Sequence, residues 1–525
     1  MEFIDMATSP LIIALQVITK LGHVPAVSYA CVKHQKINAH EFERTSISVG
    51  KKNAQSSDSE MAVDDKTRFP ASSLSKIVFT YLLLQMVKDK QIDLDEPLHN
   101  ILQYERFLVD GEYPKKAKEL TALHVLSHTT GLPNFGASLS STLRFDPESE
   151  LGQKYSYSGE AFLYLQKVIE TKMGKDLEAL AQKYVFGPLD MRRSTFMPPP
   201  EEDDNVVAVH TALGNSTPIY VGDPPINAAG SLLTTAGDFS KFMVAWLKNM
   251  NDPLIEQAFE PTSADDFMTC GLGWHIYRHD NEVIAYQYGE NPNTRAFIAL
   301  NVTTKKGAVF FTNSANGMSI ANQVFSSAHL TPIGNMQELY KSLHYAQSDE
   351  PGWYETISGK IAENEDKFEE ARVCFEKAIE LLPSDETKIR RLEWFNAVHH
   401  PSTEKEFTSS LNVFVGNYKN RYNDDVEMSI REGSLIFKQF DQESKLVRLT
   451  ENEFLPEKDQ SFKIRFDEEQ MSMSYVHGGP DKILTKQPSP KSLLQYKDEV
   501  KRLRESHPDY MSSKVKSGVK TEFYM

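Results

Sequence analysis

The hydrophobic and polar positions along the chain follow two different periods. From residue 72 to residue 90 apolar side chains recur at spacings of three and four, which predicts an amphipathic helix. Further helices are predicted over residues 11–18, 121–128, 159–173, 175–185 and 235–249. Strands are predicted as a pair within residues 24–50 and singly over residues 282–288, 295–302 and 307–312. This mixture indicates an α+β (mixed α/β) domain over residues 1–333.

Residues 334–404 are predicted to form a helical, tetratricopeptide-like linker. Its strongest amphipathic pattern spans residues 367–383 and ends at a proline. The spacing typical of the second half of that repeat is found at Gly359, Phe368, Ala371, Phe375, Ala378 and Pro383. Only one copy is clear, and one repeat cannot bury a solenoid core. The segment is therefore either a helical hairpin packed on its neighbours or, over residues 335–400, a groove for a protein partner.

The pattern changes again in the last part of the chain. Residues 405–487 contain short alternating runs separated by turn residues, which predicts a small antiparallel β-barrel-like domain, similar to a lipocalin. Residues 488–525 form a mildly basic tail that is predicted to be helical or disordered.

Charge and cysteine content exclude several classes of function. The formal net charge of −16 over 525 residues disfavours binding to nucleic acid. Three distant cysteines favour a reducing compartment and argue against a disulfide framework or a zinc ribbon. The apolar run near the N-terminus is short and has no basic residue before it, so we expect no Sec signal and no membrane span. These features predict a cytoplasmic protein, with export by a non-Sec route as the alternative that leaves no such signal.

One tetrapeptide in the helix at residue 72 could carry catalysis. It is Ser-x-x-Lys, from Ser73 to Lys76, and this spacing places both side chains on one face of a helix, one turn apart. A serine hydroxyl needs a neighbouring base to become a nucleophile, and a lysine can be that base if burial lowers its pKa. The helix N-terminus favours a nearby oxyanion. Taken alone, the tetrapeptide favours the simpler interpretation of Ser72 or Ser73 as an N-cap followed by a solvated lysine.

Further motifs follow in order along the chain. They are His128-Thr129-Thr130-Gly131, Tyr155-Ser156-Tyr157-Ser158-Gly159, Ala228-Ala229-Gly230-Ser231, Gly271-Leu272-Gly273-Trp274 and Gln287-Tyr288-Gly289-Glu290. Together with Ser73 and Lys76 they resemble the serine β-lactamase-like family, in its class C β-lactamase, esterase and D-stereospecific peptidase branch. The resemblance covers roughly residues 20–330. It implies an antiparallel sheet flanked by helices, with a helical subdomain, in a β-lactamase/transpeptidase-like catalytic domain.

The resemblance also implies roles for individual residues. Ser73 would be the acylated nucleophile, and Lys76 would take part in proton transfer. Tyr157 would be the general base, with its phenol pKa lowered by Lys76. The backbone N–H groups of Ser73 and Glu290 would hold the oxyanion, and Gly289 would let the strand approach the substrate. No cofactor and no metal is implied.

Two positions depart from the family pattern. Gly159 stands where the family has the asparagine of Tyr-x-Asn, which removes one polar substrate contact. Gln287 replaces a lysine or histidine that helps to anchor a substrate carboxylate. The sequence therefore predicts a serine hydrolase for a small ester, an amide or a D-amino-acid peptide. The alternatives are an inactive scaffold that binds a protein partner, and a β-lactamase or D-Ala-D-Ala carboxypeptidase.

Other polar clusters are interpreted as structural. His128 is expected to be buried and hydrogen-bonded near the catalytic helix. His210 and the pair His399-His400 lack the spacing of zinc ligands and are assigned to the surface. The acidic run at residues 201–204 is interpreted as a solvated loop, because no EF-hand pattern surrounds it.

Overall fold

A computed structural model describes most of the chain. The described residues are 9–35, 41–56, 61–136, 140–199, 203, 205–222, 224–264, 269–343, 345–400, 407–419, 425–439, 442–457, 462–475 and 482–487. The chain divides between Pro401 and Ser402 into two compact units. The domain boundaries expected from the sequence stay a prediction, since the first unit contains both the catalytic segment and the helical segment.

The first unit combines helices with a central sheet. Its helices are α1 Pro10–Leu21, α2 Ser75–Lys88, α3 Lys115–Glu119, α4 Ala122–Leu126, α5 Gly159–Met173, α6 Leu177–Ala181, α7 Ala236–Lys248, α8 Pro253–Phe259, α9 Ala321–Ser326, α10 Gln337–Ser342, α11 Trp353–Asn364, α12 Phe368–Leu381 and α13 Glu386–His399. A π-helical turn, Gln182–Phe186, extends α6. Its strands are β1 Ala26–His34, β2 Phe42–Gly50, β3 Phe69–Pro70, β4 Val209–His210, β5 Ser216–Thr217, β6 Leu233–Thr234, β7 Ser263–Ala264, β8 Thr269–Cys270, β9 His275–His279, β10 Glu282–Asn291, β11 Thr294–Asn301 and β12 Lys306–Thr312.

The central sheet is antiparallel and has a hydrophobic core on each face. Among the described residues its order is β2-β1-β12-β11-β10-β9-β8-β7. Side chains alternate along β1: Ala30 and Val32 pack with α2 and α7, whereas Tyr29 and Cys31 pack with α1, α9 and α10. Every strand and helix predicted for residues 11–312 corresponds to an element here. The expected antiparallel sheet flanked by helices is confirmed.

The helical segment packs as a small cluster of its own. Helices α11 and α12 lie side by side around Phe375, and the Cβ that a larger residue would carry at Gly359 would lie 2.5 Å from that ring. Helix α11 also contacts the catalytic fold, where Tyr354 stacks on His23 with ring centroids 4.5 Å apart. The helical hairpin is present, and its likeness to a tetratricopeptide repeat stays a prediction.

The second unit is a closed antiparallel barrel. Within its described residues the strands follow one another in chain order: β13 Gly416–Lys419, β14 Asp425–Arg431, β15 Ser434–Gln439, β16 Gln442–Arg448, β17 Glu453–Pro456, β18 Phe462–Asp467, β19 Gln470–Tyr475 and β20 Lys482–Lys486. Alternate residues such as Ile464 and Phe466 fill its core. The predicted small β-barrel is confirmed, the lipocalin likeness stays a prediction, and the basic tail at 488–525 lies outside the described residues. Across the described parts of both units, every helix is too short or too polar to cross a membrane.

Candidate active site

The segment that carries Ser73 is held by a strand pair before it and by a helix after it. Strand β3 pairs with β6, and the N–H of Ala71 donates to the carbonyl of Leu232 at 2.8 Å. A 3₁₀ turn, Ser72–Leu74, then leads into α2. Ser72 has a φ of +50°, a left-handed conformation that a serine adopts only under constraint from its surroundings. The chain therefore turns sharply just before Ser73.

Strand β10 approaches this turn closely at Gly289. A Cβ at that position would lie 2.5 Å from the carbonyl oxygen of Ala71 and 3.0 Å from the Cβ of Ser72. Real Cβ atoms do not come this close to backbone atoms, so only glycine fits here. The absence of a side chain thus brings the strand that carries Glu290 against the turn that carries Ser73.

Lys76 lies one helical turn after Ser73, as the spacing predicts. Its Nζ is 3.1 Å from the Ser73 Oγ and donates to the carbonyl of Ala229 at 2.7 Å. The side chain is buried, with 1% of the residue exposed. Burial disfavours the charged ammonium and lowers the pKa of Lys76 to about 7. A substantial fraction of this lysine is therefore a neutral amine at physiological pH.

Tyr157 lies against the same lysine, just before α5. The Lys76 Nζ is 4.8 Å from the centroid of its ring. Burial raises the pKa of the Tyr157 phenol, and a hydrogen bond with the Ser73 hydroxyl opposes that effect only in part. The expectation that Lys76 lowers the pKa of Tyr157 is therefore wrong. Lys76, and not Tyr157, is the group whose pKa lies near neutrality.

Two uncharged histidines flank the tyrosine. The ring of His128 stacks on Tyr157 at 4.5 Å, and that of His275 lies 6.3 Å away and nearly parallel. His128 is buried, as predicted, and its Nδ1 accepts from the N–H of Ser158 at 3.2 Å. The Nε2 of His275 is 2.8 Å from the Tyr155 hydroxyl. Burial, helped by the positive charge of Lys76, lowers the pKa of His275 to about 3.

His275 was missed by the sequence analysis. The signal that could have identified it is its position directly after the Gly271–Trp274 motif, where β9 begins. His275 is a buried imidazole beside the ring of Tyr157, and its Nε2 is 2.8 Å from the Tyr155 hydroxyl. Its contacts with Tyr155 and Tyr157 therefore make His275 part of the candidate site.

Gln287 is engaged within the protein. It is buried; its Nε2 donates to the carbonyl of Gly273 at 3.3 Å, and its Oε1 accepts from the N–H of Tyr288 at 3.0 Å. The position that carries a cation in the resembled family is thus a neutral amide that ties β10 to the Gly271–Trp274 turn. The predicted loss of a positive charge is accompanied by a structural role.

The presence of glycine at position 159 also has a structural cause. Its N–H donates to the Asn134 side-chain Oδ1 at 3.0 Å and, at the same distance, to the Asn134 backbone carbonyl. A Cβ at this position would lie 2.9 Å from that carbonyl oxygen. The backbone and carboxamide of Asn134 therefore occupy the space that a side chain at position 159 would need.

The side chain of Glu290 points to a residue that no motif indicated. Its Oε1 accepts from the Tyr345 hydroxyl at 2.7 Å and lies 3.3 Å from the Arg295 Nε. Tyr345 is 55 residues further along the chain, beyond the segment that resembles the family. Sequence reasoning had no signal for this contact.

Two of the surface assignments are wrong. His210 is buried: its Nδ1 lies 2.9 Å from the Asn313 carbonyl, and its Nε2 accepts from the N–H of Ala54 at 3.1 Å. His399 is half-buried and its Nε2 is 2.8 Å from the Glu363 carboxylate. Local sequence could not show these partners, because each lies far along the chain. His400 is exposed, as expected.

The acidic run at residues 201–204 lies mostly outside the described residues. Asp203 is described, and its carboxylate pairs with Arg68 and Arg193. Among the described side chains, no three or more His, Cys, Asp or Glu groups come together in a way that could hold a metal ion.

Comparison with known proteins gives a family and a fold. The family model described as Beta-lactamase matches residues 15–326. A curated relative, "Unguisins hydrolase ungD" of Aspergillus violaceofuscus, is 23% identical over 222 residues, which are 35% of this chain and 37% of that protein. The chain thus spans little more than a third of that relative's length.

Solved structures resemble the chain in fold. The octameric penicillin-binding protein homologue from Pyrococcus abyssi aligns with 91% of this chain and 100% of its own, at a TM-score of 0.50 and 16% identity. The D-alanine carboxypeptidase AmpC from Burkholderia cenocepacia aligns with 61% of this chain and 98% of its own, at a TM-score of 0.50 and 16% identity. At such identities the likeness concerns the fold alone.

Proposed function

Because the chain belongs to the Beta-lactamase family, whose members are generally serine hydrolases, we propose that it is a serine hydrolase that forms an acyl-enzyme on Ser73. The observation that carries this proposal is the contact between a buried, near-neutral Lys76 and the Ser73 hydroxyl, 3.1 Å apart. A hydroxyl beside a neutral amine is an activated nucleophile.

The acylation step follows from this contact. The neutral Lys76 Nζ accepts the hydroxyl proton while the Ser73 Oγ forms a bond to the substrate carbonyl carbon. The carbonyl π electrons move to its oxygen, and the backbone N–H groups of Ser73 and Glu290 stabilise that oxyanion. Gly289 contributes by the close approach of β10 to Ser73.

Tyr157 completes the proton path. Its raised pKa keeps it protonated, so it can donate to the leaving oxygen or nitrogen as the tetrahedral intermediate collapses. The proton held by Lys76 then replaces the one given by Tyr157. In the second half of the reaction a water molecule attacks the acyl-enzyme by the same route in reverse, and Ser73 is regenerated.

The substrate class is a small ester, an amide or a D-amino-acid peptide. The relative's name describes a hydrolase and that of the solved neighbour a D-alanine carboxypeptidase. The neutral Gln287 disfavours substrates that need a cation to anchor a carboxylate. We therefore rank β-lactams and D-Ala-D-Ala peptides below neutral esters and amides. A protein partner for residues 335–400 stays a separate prediction.

The test is the intact mass of the full chain after incubation with a fluorophosphonate. We expect one adduct on the wild type and none on Ser73→Ala. Ser72→Ala is the matched control, because it removes the neighbouring hydroxyl and should keep the adduct. A folded wild type without an adduct would contradict the proposal and favour the inactive scaffold that binds a protein partner.

A further inference from the structure

The carboxylate of Glu290 is held in place by two side chains and is partly exposed. Both described contacts, from the Tyr345 hydroxyl and from the Arg295 Nε, are made to Oε1. The Glu290 side chain is 41% exposed. A carboxylate oxygen is a strong acceptor for a cationic N–H donor. The structure thus presents a partly exposed carboxylate in a fixed position.

The tyrosine that fixes this carboxylate is itself anchored to the catalytic fold. The N–H of Ser348 donates to the carbonyl of Ser319 at 2.8 Å, and the Gln347 Oε1 accepts from the N–H of Asn322 at the same distance. The ring of Tyr345 also packs edge-on against Tyr288, with centroids 6.1 Å apart. Tyr345 therefore has little freedom to release Glu290.

Glu290 follows the residue at which strand β10 approaches the turn that carries Ser73. It directly follows Gly289, which contacts the turn that carries Ser73. Its negative charge also contributes to raising the pKa of Tyr157. In the proposed mechanism the backbone N–H of the same residue is part of the oxyanion hole, so its side chain branches from a residue that would contact the substrate carbonyl.

One cation faces the Glu290 carboxylate. The Arg295 Nε lies 3.3 Å from its Oε1, and the Arg295 Nη1 donates to the backbone carbonyls of Asn291 and Thr294, at 3.0 and 2.8 Å, which hold the guanidinium in place. Across the strand, position 287 carries a neutral amide. A substrate carboxylate here would meet Glu290 with no cation at position 287 to offset the repulsion, and a substrate ammonium would be attracted.

We propose that Glu290 is a specificity-determining residue that selects substrates with a protonated amine next to the scissile carbonyl and rejects substrates with a carboxylate there, and that Tyr345 is its positioning residue. The proposal rests on the serine hydrolase function proposed above and extends it to a substrate class.

The test compares three alanine p-nitroanilides, each prepared in both configurations. One carries a free amine, one an N-acetyl group and one an N-succinyl group, so that their charges are positive, neutral and negative. We expect the wild type to have its highest kcat/KM for the free amine and its lowest for the succinyl compound. In Glu290→Gln the amine-to-acetyl ratio of kcat/KM should fall about 2- to 5-fold, the scale of one exposed charge pair.

Three further readouts separate specificity from damage to the fold. The amine-to-acetyl ratio should fall above about pH 8, where an α-amine loses its proton. Tyr345→Phe, which removes only the donor to Oε1, should lower the same ratio by a smaller factor. Arg295→Gln, which removes the partial neutralisation, should raise it.

The outcomes distinguish the two proposals. An unchanged ratio in both Glu290→Gln and Tyr345→Phe would overturn the inference, as would a preference for the succinyl compound. So would a failure to turn over the amine substrate while Ser73 still forms its fluorophosphonate adduct. Absence of that adduct would refute the hydrolase function and with it this inference.

Discussion

The buried lysine beside Ser73 has a measurable cost for the stability of the fold. Lys76 is held in a site that lowers its pKa to about 7, whereas in the unfolded chain its pKa is 10.5. Between these pH values the unfolded chain binds a proton that the folded chain does not. Stability therefore rises with pH across this window, by about 1.4 kcal/mol per pH unit for a single group.

Replacing the lysine by an uncharged residue of similar length removes that cost. At pH 7 the shift corresponds to about 4 kcal/mol in favour of Lys76→Met. The variant loses the hydrogen bonds to Ser73 and Ala229, each worth about 1 kcal/mol. We expect Lys76→Met to be about 2 kcal/mol more stable than the wild type at pH 7. The advantage should shrink by about 3 kcal/mol by pH 9.5 and change sign.

Urea unfolding followed by tryptophan fluorescence measures the difference in stability between Lys76→Met and the wild type at each pH. All four tryptophans, Trp246, Trp274, Trp353 and Trp394, lie in the first compact unit, so the signal reports on the unit that contains the site. Ser73→Ala is the control: it removes one of the hydrogen bonds but keeps the lysine, so its stability should keep the wild-type dependence on pH. A difference between Lys76→Met and wild type that stays constant from pH 7 to pH 9.5 would refute the assignment of a lowered lysine pKa.

Three other predictions test the site. The rate of fluorophosphonate labelling should rise with pH through about 7, because only the neutral form of Lys76 accepts the proton; a flat profile would contradict its role as base. Gly289→Ala should abolish labelling and cost about 1–3 kcal/mol of stability, because its Cβ would lie 2.5 Å from the Ala71 carbonyl oxygen; mass spectrometry and urea unfolding check both effects. Arg106→Leu should cost about 3–5 kcal/mol by leaving Glu160 buried without its 2.8 Å partner, and adding Glu160→Leu should restore most of the loss in thermal unfolding.

The sequence was sufficient for the elements and for the spacing within them. The helix that carries Lys76 and the strand that carries Gly289 follow from local periodicity, because burial on one face imposes a period of 3.6 or 2. The pair Ser73 and Lys76 meets because one helical turn is a local distance. Each of these predictions depends on residues within about one turn or one strand of one another.

Contacts between distant segments could not be predicted in this way. Asn134 fills the space beside Gly159, and Tyr345 binds Glu290, across 25 and 55 positions of the chain. The pKa of Tyr157 was misjudged for the same reason. Burial raises it and is set by groups from several elements, whereas its contact with Lys76 is a single pair.

The polar groups around Lys76 suggest that exclusion of water, and not opposing charge, activates the nucleophile. Burial alone accounts for the lowered pKa of this lysine. The residues that face it, His128 and His275, are held neutral by the same burial, and Gln287 adds no charge. A cation at position 287 would lower the lysine pKa by repulsion, but it would also attract substrate carboxylates. Because position 287 carries a neutral amide, the pKa of Lys76 is set by burial alone. The proposed selection of substrate charge then depends on Glu290, at the other end of the same short motif.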